Sequence, residues 1–291
     1  MKLNVLHIGI NSIPNLAIER AFRELGHNVF SIDWKDRKQT DAALKTLEVD
    51  MLFMQLQSPD VVDGDLVRAM RDRGTFVVNW TGDVRHPLPQ HYIDMAANVT
   101  VTAFTNMPDV LEMQALGFDA RFLQVGYDEL IYRPDGAVKI GPPIVFMGNN
   151  YGDRFPLSVK RAEMVQAMRS EFGPDFVVYG GGWGWSRRVH PDEEAAIYRG
   201  ATVAINFDHY DRAGFFSDRF LRSNGCGCPT IEATRMEHSA IFDIVNGYMN
   251  HPATTARREF IALDTYQCER WHNRIQTLEQ WYTTARPTNT K

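Results

Sequence analysis

Short apolar runs alternate with helix-patterned stretches along almost the whole chain, and that rhythm leaves few folds open. The runs fall at residues 5–10, 28–32, 50–56, 75–79, 98–102 and 121–125. Between them, Leu16, Ile18, Ala21, Phe22 and Leu25 keep one helical face and Gly26 closes it. Similar stretches lie at 40–47, 63–73 and 108–116. Runs that are apolar throughout are buried on both faces, so the pattern predicts an α/β protein with parallel sheets covered by helices. A turn-rich segment, Arg133-Pro134-Asp135-Gly136 through Gly141-Pro142-Pro143, interrupts the rhythm. It then restarts with strands at 144–147, 176–179 and 202–207 and helices at 157–172 and 192–198. With 291 residues, more than one core usually fills, two domains are expected, 1–135 and 136–291. Open sheets of this kind bind ligands beyond the carboxyl ends of their strands. At 255–282 the apolar residues Phe260, Leu263, Trp271, Ile275, Leu278 and Tyr282 predict one long amphipathic helix.

Composition removes some classes. Hydrophobic content of 44% with 23% charged residues is that of an ordinary globular chain. A net charge of −5 gives no overall drive toward nucleic acid or anionic membrane. Cys226, Cys228 and Cys268 are odd in number and lack metal-ligand spacing, which reads as small buried thiols in a reducing compartment. The opening MKLNVLHIGIN reads as a strand rather than a signal peptide. No window approaches the roughly 18 apolar residues of a membrane span, so a cytoplasmic protein is expected.

The segment 203–231 concentrates the candidate chemistry. An apolar strand leads into a polar loop, Ser217-Asp218-Arg219 opens a helix, and Gly225-Cys226-Gly227-Cys228-Pro229 ends it. A helix start offers unpaired N–H groups, and Arg219 adds a fork that fits phosphate oxygens. The same residues also suit an ordinary strand–loop–helix crossover with Arg219 as a surface charge.

Four passages resemble GT-B-fold glycosyltransferases, nearest to the group often called CgeB-like or glycosyltransferase group 1. They are Gln124-Val-Gly126 through Pro134, Val145-Phe-Met-Gly148-Asn-Asn with Arg154 and Arg161, Val178-Tyr-Gly180-Gly-Gly-Trp183, and Ser217-Asp-Arg219 through Pro229. The resemblance covers the second half in order and the first half by architecture only. It implies two Rossmann-like domains facing across a cleft, with the C-terminal helix packing back toward the first. It also implies a nucleotide-sugar donor, UDP-linked, and neither metal nor further cofactor. Donor-binding candidates are Gly148, Asn149, Arg154, Tyr179, Gly180, Ser217, Arg219 and Arg222. Arg222 stands where the family usually has a glutamate that holds the ribose, and Gly214 replaces a second glutamate. With those glutamates absent, inversion by direct displacement is expected.

The attacking hydroxyl needs a base. Asp83, in Trp80-Thr-Gly82-Asp83-Val-Arg85-His86, follows an apolar strand, and desolvation beside Trp80 would raise its proton affinity. It also fits a turn cap or a partner for Arg85. His86 and His91 are further candidates, and Arg161 reads as a surface or packing residue. Asn11, Ser12, Trp80, Arg85 and His86 are the acceptor-side candidates. Lys35, Arg37, Lys38, Arg68, Arg71, Arg73, Arg187 and Arg188, with Trp34 and Trp185, would suit a phosphodiester backbone or ordinary solvated faces. The GT-B resemblance is compatible with phage-type DNA modification on a hydroxymethylated pyrimidine as one acceptor; polysaccharide, lipid-linked and protein acceptors stay open. A GT-B-like nucleotide-sugar epimerase and a non-catalytic nucleotide-sugar binding protein are the alternatives.

Overall fold

The computed structural model describes residues 1–9, 13–55, 58 and 61–285. Contacts divide the chain into two units. The first comprises Met1–Gly126, Arg212–Phe215 and Trp271–Lys291; the second comprises Tyr127–Asp211 and Phe216–Arg270.

In the first unit, strands and helices alternate as β1 (Asn4–Gly9), α1 (Ile13–Glu24), β2 (Asn28–Asp33), α2 (Arg37–Thr46), β3 (Met51–Met54) and α3 (Gly64–Asp72). They continue as β4 (Phe76–Thr81), α4 (Gln90–Ala96), β5 (Val101–Phe104), α5 (Met107–Ala115) and β6 (Ala120–Phe122). The strands form one parallel sheet in the order β2-β1-β3-β4-β5-β6. Its residues alternate between two cores. Val5, Phe53, Val78 and Ala103 face one side, whereas Leu6, Leu52, Met54 and Val77 face the other.

The second unit runs β7 (Ile144–Met147), α6 (Ser158–Phe172), β8 (Phe176–Tyr179), α7 (Pro191–Gly200) and β9 (Val203–Asn206). It ends with α8 (Asp218–Gly225), β10 (Thr230–Glu232), α9 (His238–Asn250) and α10 (Thr255–Glu269). The parallel order β10-β9-β7-β8 places the reversal of winding between β7 and β9. Ligands of open α/β sheets bind beyond the strand ends at such a point.

The final stretch is two helices, not the single one expected. Arg270 is extended (φ −73°, ψ 161°) and pairs in a parallel bridge with Tyr127, so the helix stops there and restarts as α11 (Trp271–Ala285). The apolar pattern hid a change of face. Phe260 and Leu263 on α10 stay exposed, while Trp271, Ile275, Leu278 and Tyr282 enter the first unit's core with Trp80 and Phe76. Trp271 meets Trp80 edge-on at 5.1 Å. The turn-rich segment 133–143 is not where the division falls. Tyr127 and Tyr132 are already buried in the second unit, against the Gly225 backbone and the Glu194 carboxylate. Among the described residues no helix is long and apolar enough to cross a membrane.

Candidate anion site of the second unit

Arg161 is the least expected feature of the second unit. It lies on the buried stripe of α6 with Ser158, Met164, Val165 and Met168, and its residue surface is 1% exposed. Its guanidinium stacks on Phe146 at 4.8 Å. Nη1 donates to His209 Nε2, whereas Nε and Nη2 have no partner. A ring nitrogen that accepts from an arginine must be unprotonated, so the His209 proton sits on Nδ1, which lies 3.2 Å from Ser158 Oγ. Burial and the charges of Arg161 and Arg219 push His209 down to about 3, keeping it neutral.

Gly148, the first residue after β7, makes room for this side chain. A Cβ there would collide with Arg161 Nη2 and the Phe146 ring. Gly180 is held in the left-handed region (φ +152°), and any side chain would run into the Gly148 carbonyl. The two glycines therefore let two strand ends close over a buried guanidinium.

From the other side of the reversal point, Ser217 caps α8 by accepting the Arg219 N–H at 3.2 Å. Arg219 Nη2 reaches Asp208 Oδ1 at 3.5 Å, and its Nε is buried without a partner. Asp208 is 3% exposed, and its N–H donates to Thr234 Oγ1 at 2.8 Å. Burial pushes its carboxyl up to about 7, against the pull of Arg219 and with the push of Glu232. Burial and the like charge of Arg219 also disfavour the Arg161 cation. Two guanidiniums with three unpartnered N–H-bearing nitrogens, and a single carboxylate in ion-pair contact with them, leave donors unused at the strand ends. Unpaired buried charge is costly, and an anion seated there would relieve it.

The structure thus brings Gly148, Ser217 and Arg219 together with Arg161, Asp208 and His209. The other donor-side candidates fall elsewhere. Asn149 bridges the loops, accepting from Gly181 N–H at 2.7 Å and donating to Tyr151 OH at 3.0 Å. Arg154 is exposed over the Phe155 ring at 5.4 Å, and Tyr179 lies under Arg187 at 5.7 Å. Arg222 is taken up by Asp218 and by Glu194 at 3.5 Å, over the Tyr132 ring at 5.3 Å. Burial opposes its charge, and Asp218, with Tyr132 and Glu194, outweighs that and raises its proton affinity.

In the first unit, Trp80 corrects an expectation. It is 4% exposed, its Nε1 donates to Leu123 O at 2.8 Å, and Gly82 is small because the indole lies against it. It is therefore a core residue and has no face free for an acceptor. Asp83 is also not desolvated as expected; its side chain is 47% exposed and pairs with Arg85 at 2.6 Å. His86 is exposed, and His91 lines a pocket with Asn79, Asp94 and Asn98. Asn11 and Ser12 lie outside the described residues. Asp109 was not anticipated. It is 1% exposed at the start of α5, accepts from Asn106 Nδ2 at 2.7 Å through Oδ2, and leaves Oδ1 unpartnered. Burial raises its carboxyl's proton affinity, while Asn106 and Arg212 pull it back. Half of the basic rim candidates are ion-paired: Arg37 with Asp41, Arg68 with Asp65, Arg71 with Asp72 and Arg187 with Glu193.

Residues 160–267 match the family described as glycosyl transferase-like, a segment that contains Arg161, Asp208 and Arg219. No curated protein matches the chain. Among solved structures, the N-terminal domain of Candida albicans trehalose-6-phosphate phosphatase is similar at 9% identity and TM-score 0.59, covering 97% of each chain. A putative UDP-N-acetylglucosamine 2-epimerase from Listeria monocytogenes is similar at 10% identity and TM-score 0.51, covering 94% of this chain and 91% of that one. TarM is similar at 6% identity and TM-score 0.51, covering 80% and 54%. Fold and similarity define the class: an α/β protein of two Rossmann-like parallel-sheet units, as in GT-B proteins. Within that class, the family match supports a glycosyltransferase enzyme.

Proposed function

We propose that this protein transfers a sugar from a nucleoside-diphosphate sugar to an acceptor hydroxyl, and that Arg161 and Arg219 hold the diphosphate. One observation carries the reading: two guanidiniums with buried, unpartnered N–H groups converge beyond β7 and β9, the binding point of such a sheet. Negative charge grows on the diphosphate as the glycosidic bond breaks. Fixed donors in a buried site stabilise that charge without reorganising, an effect worth about 3–4 kcal/mol for a single oxyanion-hole donor in an acyl-transfer enzyme. Two arginines can do this without a metal, which is the course we assign here. Arg222, locked between two carboxylates, is left out of the donor set.

The proton leaving the acceptor hydroxyl goes to a carboxylate base. Asp83 is our assignment, with the buried Asp109 as the second candidate because one of its oxygens lacks a partner. Inversion is the stereochemistry we assign, and a hydroxymethylated pyrimidine in DNA is the first acceptor to test. The test is mass spectrometry of a panel of UDP-, GDP-, ADP- and dTDP-sugars incubated with the protein, with and without DNA carrying hydroxymethylated pyrimidines. The reading expects release of one nucleoside diphosphate. Sugar mass on the DNA selects that acceptor; release unaffected by DNA sends the search to other hydroxyls. No turnover of any donor would overturn the enzymatic reading. Asp83→Asn is expected to abolish transfer while donor affinity holds; if instead Asp109→Asn abolishes it, the base is Asp109.

A further inference from the structure

We propose that Asp208 is the proton-linked counter-ion of the anion site, ionised against Arg219 when the site is empty and protonated when a diphosphate occupies it. The proposal rests on the reading of Arg161 and Arg219 as diphosphate ligands and adds a coupling between donor binding and pH. Asp208 lies two residues beyond the end of β9, and the elements around it present charged or polar groups. Arg219 approaches from α8 at 3.5 Å and Arg161 adds its charge from α6. Glu232 closes β10, bonded to Asn206 and Thr234, while Asn206 itself hydrogen-bonds Asp208. His209, the next residue, is neutral. Asp208 is therefore a buried carboxylate beside a second carboxylate, kept charged chiefly by one arginine.

A diphosphate alters both halves of that balance. It brings up to three negative charges close to Asp208, and it draws the Arg219 fork onto phosphate oxygens. Both changes favour the neutral acid, the direction in which burial already pushes this carboxyl. One proton passes from solvent to a carboxylate oxygen of Asp208, and no other bond is made or broken. The neutral acid then has an O–H to donate, so a group that competed with phosphate for Arg219 becomes a further donor to it.

The experiment is isothermal titration of whichever of UDP, GDP, ADP and dTDP binds most tightly, at pH 8, in buffers of different ionisation enthalpy. At that pH the ligand's own phosphate, with its last ionisation near pH 6, has already lost its protons. The dependence of observed enthalpy on buffer enthalpy gives the protons taken up. Wild-type protein is expected to take up a fraction of a proton per nucleotide, and its affinity is expected to fall as the pH rises above 8. Asp208→Asn mimics the neutral acid. It is expected to take up no proton, to bind with flat pH dependence, and at pH 9 to bind more tightly than wild type. Binding without proton uptake in the wild type overturns the proposal, and so does uptake that persists in Asp208→Asn. Failure of every nucleoside diphosphate to bind would instead overturn the diphosphate reading itself. The wild-type titration stands alone if the variant does not fold.

Discussion

The charge on a single side chain decides more in this protein than its bulk. Arg161 occupies a position on α6 that a methionine would fill without difficulty, between Ser158 and the Met164–Met168 stripe. Arg161→Met should therefore leave the melting temperature unchanged or raise it, because a buried unpaired charge is removed. Nucleoside diphosphate affinity should fall about 100-fold or more, the scale of losing one buried charged donor. Calorimetry and a thermal melt on the same samples check both halves. Acid stability is a second residue-scale consequence. His7 is buried between Gln55 at 3.0 Å and Ser31 at 3.3 Å, and burial lowers it from 6.5 to about 4. His209 is lowered to about 3. Both bind a proton more weakly when folded, so their contribution is complete above pH 6.5 and is lost as pH falls toward those values. Asp208 works in the opposite sense, losing stability as pH rises from 3.8 to about 7. Between about pH 5 and 6 each of these imidazoles adds a slope of stability rising with pH, and Asp208 adds one that falls. Urea titrations at those pH values should show the slope shrink in His7→Gln and steepen in Asp208→Asn. Sequence alone showed Arg219 and its cap Ser217 because both belong to a recognisable helix start. It did not show that Arg161 and Asp208 are buried, since arginines and loop carboxylates are usually solvated.

Helices and turns were legible where local chemistry sets them. Ser217 starts α8 and Gly225 ends it, Gly26 and Gly117 follow α1 and α5, and the strands lie near their apolar runs. The break between α10 and α11 was not legible, because Arg270 leaves the helix to pair with Tyr127, a partner far off in sequence. The helices α4 and α9 were missed as well, their apolar residues being too few or too evenly spread for a clear stripe. The division at Arg270 has an energetic signature. Trp271→Ala removes a side chain 2% exposed and should cost about 3–5 kcal/mol, whereas Phe260→Gln, at a position 59% exposed, should stay within about 0.5 kcal/mol. Equilibrium urea unfolding of the two variants makes the comparison. Gly148→Ala belongs to this scale too. The added methyl displaces Arg161, so nucleotide binding should be lost by calorimetry while far-UV circular dichroism is unchanged.

The whole molecule is two units through which the chain passes more than once. Residues 212–215, from the loop that joins β9 to α8, belong to the first unit, where Ala213 O accepts from Met107 N–H and Gly214 O from Gln124 Nε2. Composition marked 133–143 as the seam, but the seam follows packing. Tyr127 and Tyr132 are apolar enough to enter the second unit's core before the turn residues begin, and no local signal reports that choice. The C-terminal helix α11 is part of the first unit's core, the packing that the family resemblance implied. At this scale the central claim is that a charge pair at the reversal point of one sheet receives a nucleoside diphosphate. The most direct measurement is calorimetric titration of nucleoside diphosphates into wild type, Arg161→Met and Arg219→Met, each verified as folded. The account predicts one tight site in the wild type and about 100-fold weaker binding in each variant. Equal affinity in all three would contradict it.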